Sequence, residues 1–143
     1  MYKNILMPVD VFEMDLSDKA VRHAANLAKR EGATITLVNI LPSSSRSLLR
    51  GFNADIKKFE EYMTAESEKK MNALKRLFDI SPDDIHCAVR FGNVRDEIIK
   101  MSKEGEHDVI VIGSKNPSIT THLLGSNAES ILRYATIPVL VVR

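Results

Sequence analysis

Four short apolar runs punctuate the chain: NILMPV at 4–9, TITLVNI at 34–40, DVIVI at 108–112 and PVLVVR at 138–143. They are rich in Ile and Val and continuous rather than alternating, the pattern of strands covered on both faces, as in parallel sheets. A weaker run, IHCAV at 85–89, does alternate, with Ile85, Cys87 and Val89 on one side. Between these runs the apolar period lengthens to that of a helix. Ala20, Val21, Ala24, Ala25 and Ala28 mark one face of a helix that Gly32 can end. Phe52, Ile56, Phe59, Met63, Met71, Leu74 and Leu77 mark the apolar side of a longer helix, opposite Lys57, Lys58, Glu60 and Glu61. Asn93 is placed to cap a third helix carrying Ile98, Ile99 and Met101. Ser126 followed by Glu129 has the spacing of a capping box ahead of Ile131 and Leu132.

The order β-α-β-α-β-α-β-α-β predicts one α/β domain over residues 1–143, a doubly wound (Rossmann-like) sheet of five parallel strands with helices on both faces. A chain of 143 residues is long enough to bury the core such a sheet needs. No internal repeat or low-complexity tail interrupts it. The segment SSSRSLLRG at 43–51 reads as a mobile loop before the second helix.

Composition removes several classes of function. The 20 basic and 19 acidic side chains leave a net charge of +1, so no overall field attracts nucleic acid or a membrane surface. Aromatic residues make up 6% and Trp is absent, which leaves little for base stacking. The lone Cys87 excludes an internal disulfide framework and fits a reducing compartment. No apolar run approaches the roughly 20 residues of a membrane helix. The apolar part of MYKNILMPVD is too short for a secretory signal. A cytoplasmic location is expected.

In doubly wound sheets ligands bind at the carboxyl ends of the strands, beside the point where strand order reverses. Pro8, Val9 and Asp10, then Asn39, Ile40 and Leu41, and then Gly113 onward should converge there. Asp10 is a carboxylate at the mouth of the sheet, suited either to a ribose hydroxyl or metal-bound water, or to capping a helix or turning the chain. The stretch GSKNPSITTHLLGSNAES at 113–130 is dense in glycine, hydroxyl groups and one lysine. A helix beginning near Ser126 and Asn127 offers free N–H groups to an anion, and Ser126 can equally serve only as a cap.

The whole chain resembles a universal stress protein. NILMPVD resembles the first strand and acidic turn of that family. VRFGNVRDEII resembles its third strand and the turn after it, with Val94 where proline is common. VIGSKNPSITTHLLGSNAESILRYATIPVLVV resembles its nucleotide signature and last strand, and NPSITTHLLGSN is typical of the F and G type branch. ATP-binding members carry Gly-x2-Gly-x9-Gly-Ser/Thr. Here Gly113 matches the first glycine and Gly125-Ser126 the last pair, Asn116 stands at the second glycine, and eight residues separate it from Gly125. Asn reaches the left-handed conformation less readily than glycine.

That resemblance implies ATP with Mg2+ as the ligand. It places Pro8, Val9, Asp10 and Ile40 around adenine and ribose, and Ile112, Gly113, Asn116, Gly125, Ser126 and Asn127 along the track to the phosphates. Asp10 is then a possible holder of the metal through Mg-ATP. Lys115 or His122 could pair with phosphate on grounds of charge alone. The resemblance also implies a homodimer through the C-terminal strand, Val139, Leu140, Val141 and Val142, because an apolar edge strand leaves N–H and C=O groups to be paired.

No GxxxxGK[ST] or GxGxxG loop occurs. A phosphorelay receiver would need an aspartate after strand 3 and a lysine after strand 5, but strand 3 runs into Arg90-Phe91-Gly92 and strand 5 ends the chain. His23, His86, His107 and His122 lack metal-ligand spacing, and Cys87 and the methionines read as packing. No nucleophile is paired with a general base. The expectation is a stress-response module that binds ATP and acts as a regulator. A slow ATPase or self-modifying enzyme, and a dimeric adaptor without nucleotide, are the alternatives, with protein partners unspecified.

Overall fold

The structure, a computed structural model, describes residues 1–12, 18–43, 53–114 and 125–143. The strands are β1 (Asn4–Val9), β2 (Thr34–Leu41), β3 (Ile85–Phe91), β4 (Val109–Gly113) and β5 (Val139–Val142). The helices are α1 (Asp18–Glu31), α2 (Asn53–Lys75), α3 (Val94–Glu104) and α4 (Ser126–Tyr134). A 3-10 turn, Pro82–Asp84, leads into β3. All strand pairs are parallel and the sheet order is β3-β2-β1-β4-β5. The predicted α/β architecture is the observed one.

Two cores explain why the strand sequences are continuously apolar. On one face Ile5, Met7, Ile35 and Leu37 pack with Ala20, Ala24 and Ala28 of α1 and with Met71 and Leu74 of α2. On the other, Leu6, Val38, Ile110 and Ile112 pack with Ile98 and Met101 of α3 and with Ala128 and Ile131 of α4. Residues of the central strands therefore meet a helix whichever way they point. The alanine face of α1 lets that helix lie close to the sheet. Gly32, at φ +66°, adopts the left-handed turn that ends it. Asn93 caps α3 as expected, its side chain accepting from the Asp96 N–H at 3.2 Å.

The apolar face of α2 differs from the sequence expectation. Phe59 and Leu77 are each 59% exposed, while Met71, Leu74 and Phe78 are buried together with Ser67. At about 100° per residue, Phe59 stands roughly 120° around the α2 axis from Met71, and Leu77 lies beyond the helix end at Lys75. The hydroxyl of Ser67 is buried because the Asn39 side chain of β2 donates to it at 2.7 Å. A polar pair thus occupies the face, and two large apolar side chains leave it. Phe52 and residues 44–51 of the expected loop lie outside the described residues. β5 does form an edge of the sheet, with Leu140 exposed.

Candidate functional site

Strand order reverses between β1 and β4: the chain leaves β1 for β2 and β3 on one side, then returns to β4 and β5 on the other. The carboxyl ends of β1 and β4 place Pro8, Val9 and Asp10 beside the exit of Ile112, Gly113 and Ser114. Pro8 marks this seam. Residues of a strand face their two neighbours alternately. The Lys3 carbonyl accepts from Thr34 and that of Asn4 from Asp108, so Asn4, Leu6 and Pro8 face β4. Proline has no N–H to give. The rungs between β1 and β4 run through Ile5↔Val109 and Leu6↔Ile110 and stop there, whereas β1 pairs with β2 through Val9↔Asn39. A proline that would break most central strands lies here where one ladder ends, at the mouth of the switch point.

The two ends of the segment 115–124 are tied together. Ser114, buried, donates its N–H to Val142 at 2.9 Å and accepts from the Gly125 N–H at 3.2 Å. These bonds bring the start of α4 to the carboxyl end of β4. Gly125, not Ser126, is the N-cap residue, and no side chain caps the helix. The expected capping box is absent because the bond to Ser114 fixes Gly125 as the last non-helical residue. Ser126 becomes the first helical one. Glu129 is the first N–H to find an intrahelical acceptor, the Gly125 carbonyl at 2.9 Å. The N–H groups of Ser126, Asn127 and Ala128 precede it, with the positive end of the helix dipole behind them.

Neither glycine is demanded by the fold. A methyl group at Gly113 would meet only the Ala20 Cβ at 3.9 Å, and one at Gly125 only the Ser114 carbonyl at 3.6 Å, both ordinary contacts. Gly125 has φ −60°, open to any residue. The missing side chains leave bare backbone beside the helix start, a cradle that a Cβ would fill. Asp10 turns the chain, its Oδ1 accepting from the Phe12 N–H at 3.1 Å. The turning role held open in the sequence is realised, and the exposed carboxylate still stands at the sheet's mouth. Ile40 packs partly against the α3–α4 core. The structure therefore brings together Pro8, Val9, Asp10, Ile112, Gly113, Gly125, Ser126 and Asn127, with Ile40 one strand away on β2. Lys115, Asn116 and His122 lie outside the described residues. Sequence reasoning missed the Asn39–Ser67 pair, whose only signal was a polar residue within an apolar run.

The groups whose titration is shifted stand elsewhere in the fold. Burial pushes the Cys87 thiol up, Lys75 opposing and Glu68 reinforcing the shift, which suits packing and not nucleophilic use. His107 and Asp108 lie at the opposite, amino-terminal end of β4. Burial holds the His107 imidazole below its usual range against the pull of Asp108, and its Nδ1 is enclosed without a hydrogen-bond partner. Among the described residues no group of three His, Cys, Asp or Glu could hold a metal ion. No described helix is long and apolar enough to cross a membrane.

A model of the universal stress protein family matches residues 1–143. The chain belongs to the universal stress protein family. Universal stress protein G of Salmonella typhimurium is 55% identical over 143 residues, covering 100% of both chains. Its counterpart from Escherichia coli O157:H7 is 54% identical over the same span. Full-length similarity of this order supports the G-type branch. The solved structure of universal stress protein UspA from Lactobacillus plantarum has the same fold, with a TM-score of 0.78 at 23% identity over 99% of this chain and 98% of that one. Two further structures share the fold at 23% identity. One is a universal stress protein in complex with cAMP, at TM-score 0.70 over 99% and 97% of the two chains. The other is the Archaeoglobus fulgidus protein in complex with dAMP, at 0.62 over 99% and 98%.

Proposed function

We propose that this universal stress protein binds an adenine nucleotide, ATP with Mg2+, at the β1–β4 switch point, and that it works in the cytoplasm as a homodimeric regulator of the stress response. The observation that carries the reading is the hydrogen-bonded closure of Ser114 on Gly125. It delivers three N–H groups of a helix start, and two glycines with no steric need to be glycine, to one end of the sheet. The cAMP and dAMP complexes of proteins with this fold support the ligand class.

Phosphate would lie against the N–H groups of Ser126 and Asn127, with Gly113 and Gly125 allowing close approach. Lys115 or His122 supplies countercharge. Asp10 takes a ribose hydroxyl or a magnesium-bound water, and Pro8, Val9, Ile40 and Ile112 form the apolar side. Bound magnesium would offset the charge of the phosphates. The dimer forms through Val139, Leu140, Val141 and Val142 of the β5 edge, and nucleotide sets which protein partners the 114–124 segment admits.

The first test is to denature freshly purified protein, identify any released nucleotide by chromatography, and titrate the emptied protein with Mg-ATP. Near-stoichiometric ATP is expected. A protein that carries none and does not bind Mg-ATP would overturn the reading. The adaptor alternative, favoured by Asn116 and the eight-residue spacing, would then take its place. Release of labelled phosphate or AMP from labelled ATP would instead mark a slow enzyme.

A further inference from the structure

Helix α2 turns one stripe of side chains directly outward. At about 100° per residue, Tyr62, Glu66, Lys69 and Ala73, spaced i, i+4, i+7 and i+11, fall within about 60° of one another. The buried residues Ser67, Met71 and Leu74 lie roughly 140° around the axis from that stripe, against the sheet. Tyr62 is 61% exposed, and Ala73, also exposed, follows it three turns later. Around Ala73 an open groove of about 550 Å³ is lined by Ala65, Lys69, Asn72, Ala73 and Arg76 among others. Between the ring and the groove, Glu66 and Lys69 have no ion pair within the chain among the described residues.

Charge is graded along the same helix. From Asn53 to Glu66 four carboxylates outnumber two lysines, whereas from Ser67 to Arg76 four basic groups outnumber one carboxylate. The helix dipole accounts for Asp55 in the first turn and Lys75 in the last. Its influence falls off within a turn of either end and does not reach Glu66 or Lys69.

We propose that the outer stripe of α2 pairs antiparallel with α2 of a second copy, about a two-fold axis passing between Glu66 and Lys69. In that register Glu66 stands opposite the partner's Lys69, and Lys69 opposite the partner's Glu66. The ring of Tyr62 enters the groove at the partner's Ala73, and the acidic half of each helix lies over the basic half of the other. A parallel pair would instead set Glu66 against Glu66 and Lys69 against Lys69. The surface lies on a different element from the β5 edge and does not depend on pairing there. Where both operate, each protomer has two self-complementary interfaces and assembly extends beyond a dimer.

The test uses full-length protein carrying Val141→Pro, which blocks the β5 edge, in sedimentation velocity runs at concentrations up to about 1 mM. A monomer–dimer equilibrium is expected. Glu66→Lys and Lys69→Glu should each weaken it at least about tenfold, because each sets two like-charged pairs across the axis. Mixing the two variants should restore association, because every pair across the axis is then opposite in sign. Tyr62→Ala should weaken pairing by a similar factor and leave the urea midpoint unchanged. With the β5 edge intact, the same mixing experiment reads the restoration as a dimer–tetramer step, so the test survives a proline variant that fails to fold. No association up to that concentration overturns the proposal, as does a mixture that associates no better than its components. Association that both charge reversals leave unchanged places the second copy elsewhere and overturns it as well.

Discussion

The two edges of the sheet are built from the same backbone and finished differently. β5 has four residues, and the Ile110 N–H bond to Pro138 turns Val139 and Val141 outward. Around it Leu132, Tyr134 and Leu140 are 47%, 53% and 38% exposed. β3 has seven residues and offers three outward positions, and the groove between it and α2 mixes Glu60, Glu61 and Glu68 with Lys57. An unpaired edge invites any strand, and the flanking side chains decide which one is accepted. Apolar flanks are self-complementary and suit a second copy. Charged side chains of both signs beside an edge blunt its pairing.

The comparison depends on α2 being held firmly over β3, so the largest expected effect is at its anchor. Met71→Ala should cost about 2–5 kcal/mol in urea unfolding, whereas Phe59→Ala, in the same helix but 59% exposed, should cost under about 1 kcal/mol. Equal costs would mean that the face of α2 is misassigned. Next is the dimer. Val141→Pro deletes an outward N–H in each copy, and the dimer dissociation constant measured by sedimentation should rise on the order of 100-fold, the equivalent of about two backbone hydrogen bonds. Val89→Pro should leave it unchanged. If both substitutions weaken the dimer alike, the distinction between the edges fails.

A smaller effect separates the nucleotide site from either edge. Gly125→Ala adds a methyl group that meets only the Ser114 carbonyl at 3.6 Å. Stability should hold or rise by about 0.5 kcal/mol, while Mg-ATP affinity falls roughly tenfold if the ligand needs bare backbone there. Calorimetry reads both. An unchanged affinity would remove Gly125 from the site.

The smallest effect lies at the amino-terminal end of the sheet. Burial holds the His107 pKa below its unfolded value of 6.5, Asp108 opposing. The unfolded chain therefore binds a proton first, and stability declines as pH falls from above 6.5 toward the lower folded value. The urea midpoint should drop modestly between those limits, and His107→Gln should flatten the slope. Asp108 acts further down the scale. Burial raises its pKa, but N–H groups of Asn4, Lys3 and its own residue, with His107, bring it below 3.8 overall, so its contribution is present above 3.8 and lost in stronger acid. Self-association that follows either titration would tie this end of the molecule to the edges.

Much of the fold was legible because a residue buried on both faces must be apolar whichever way it points. NILMPV coincides with β1 residue for residue. The alanines of α1 and the Asn93 cap were equally plain. The face of α2 was not, because residue class alone cannot reveal that Asn39 takes Ser67 into the interior and leaves Phe59 outside. The cap of α4 was misread for a related reason. The Ser114–Gly125 bond spans a segment whose closure no local pattern records. Pro8 was visible, but its meaning required knowing that even-numbered residues of β1 face β4. The convergence of the site residues followed from topology, while the ligand class rests on family likeness.

The seam that ends at Pro8 also has a consequence for the order of assembly. β1 meets β2 about 30 residues along the chain, but its rungs to β4 join positions about 100 residues apart. Closing so long a loop carries a higher entropic cost and slows the pairing that depends on it. The β1–β4 seam is thus expected to be among the last to close as the chain folds, and the mouth that gathers Asp10, Gly113 and Gly125 comes into being with it. A ligand held there binds only molecules that have completed this step, and it draws the folding equilibrium toward them.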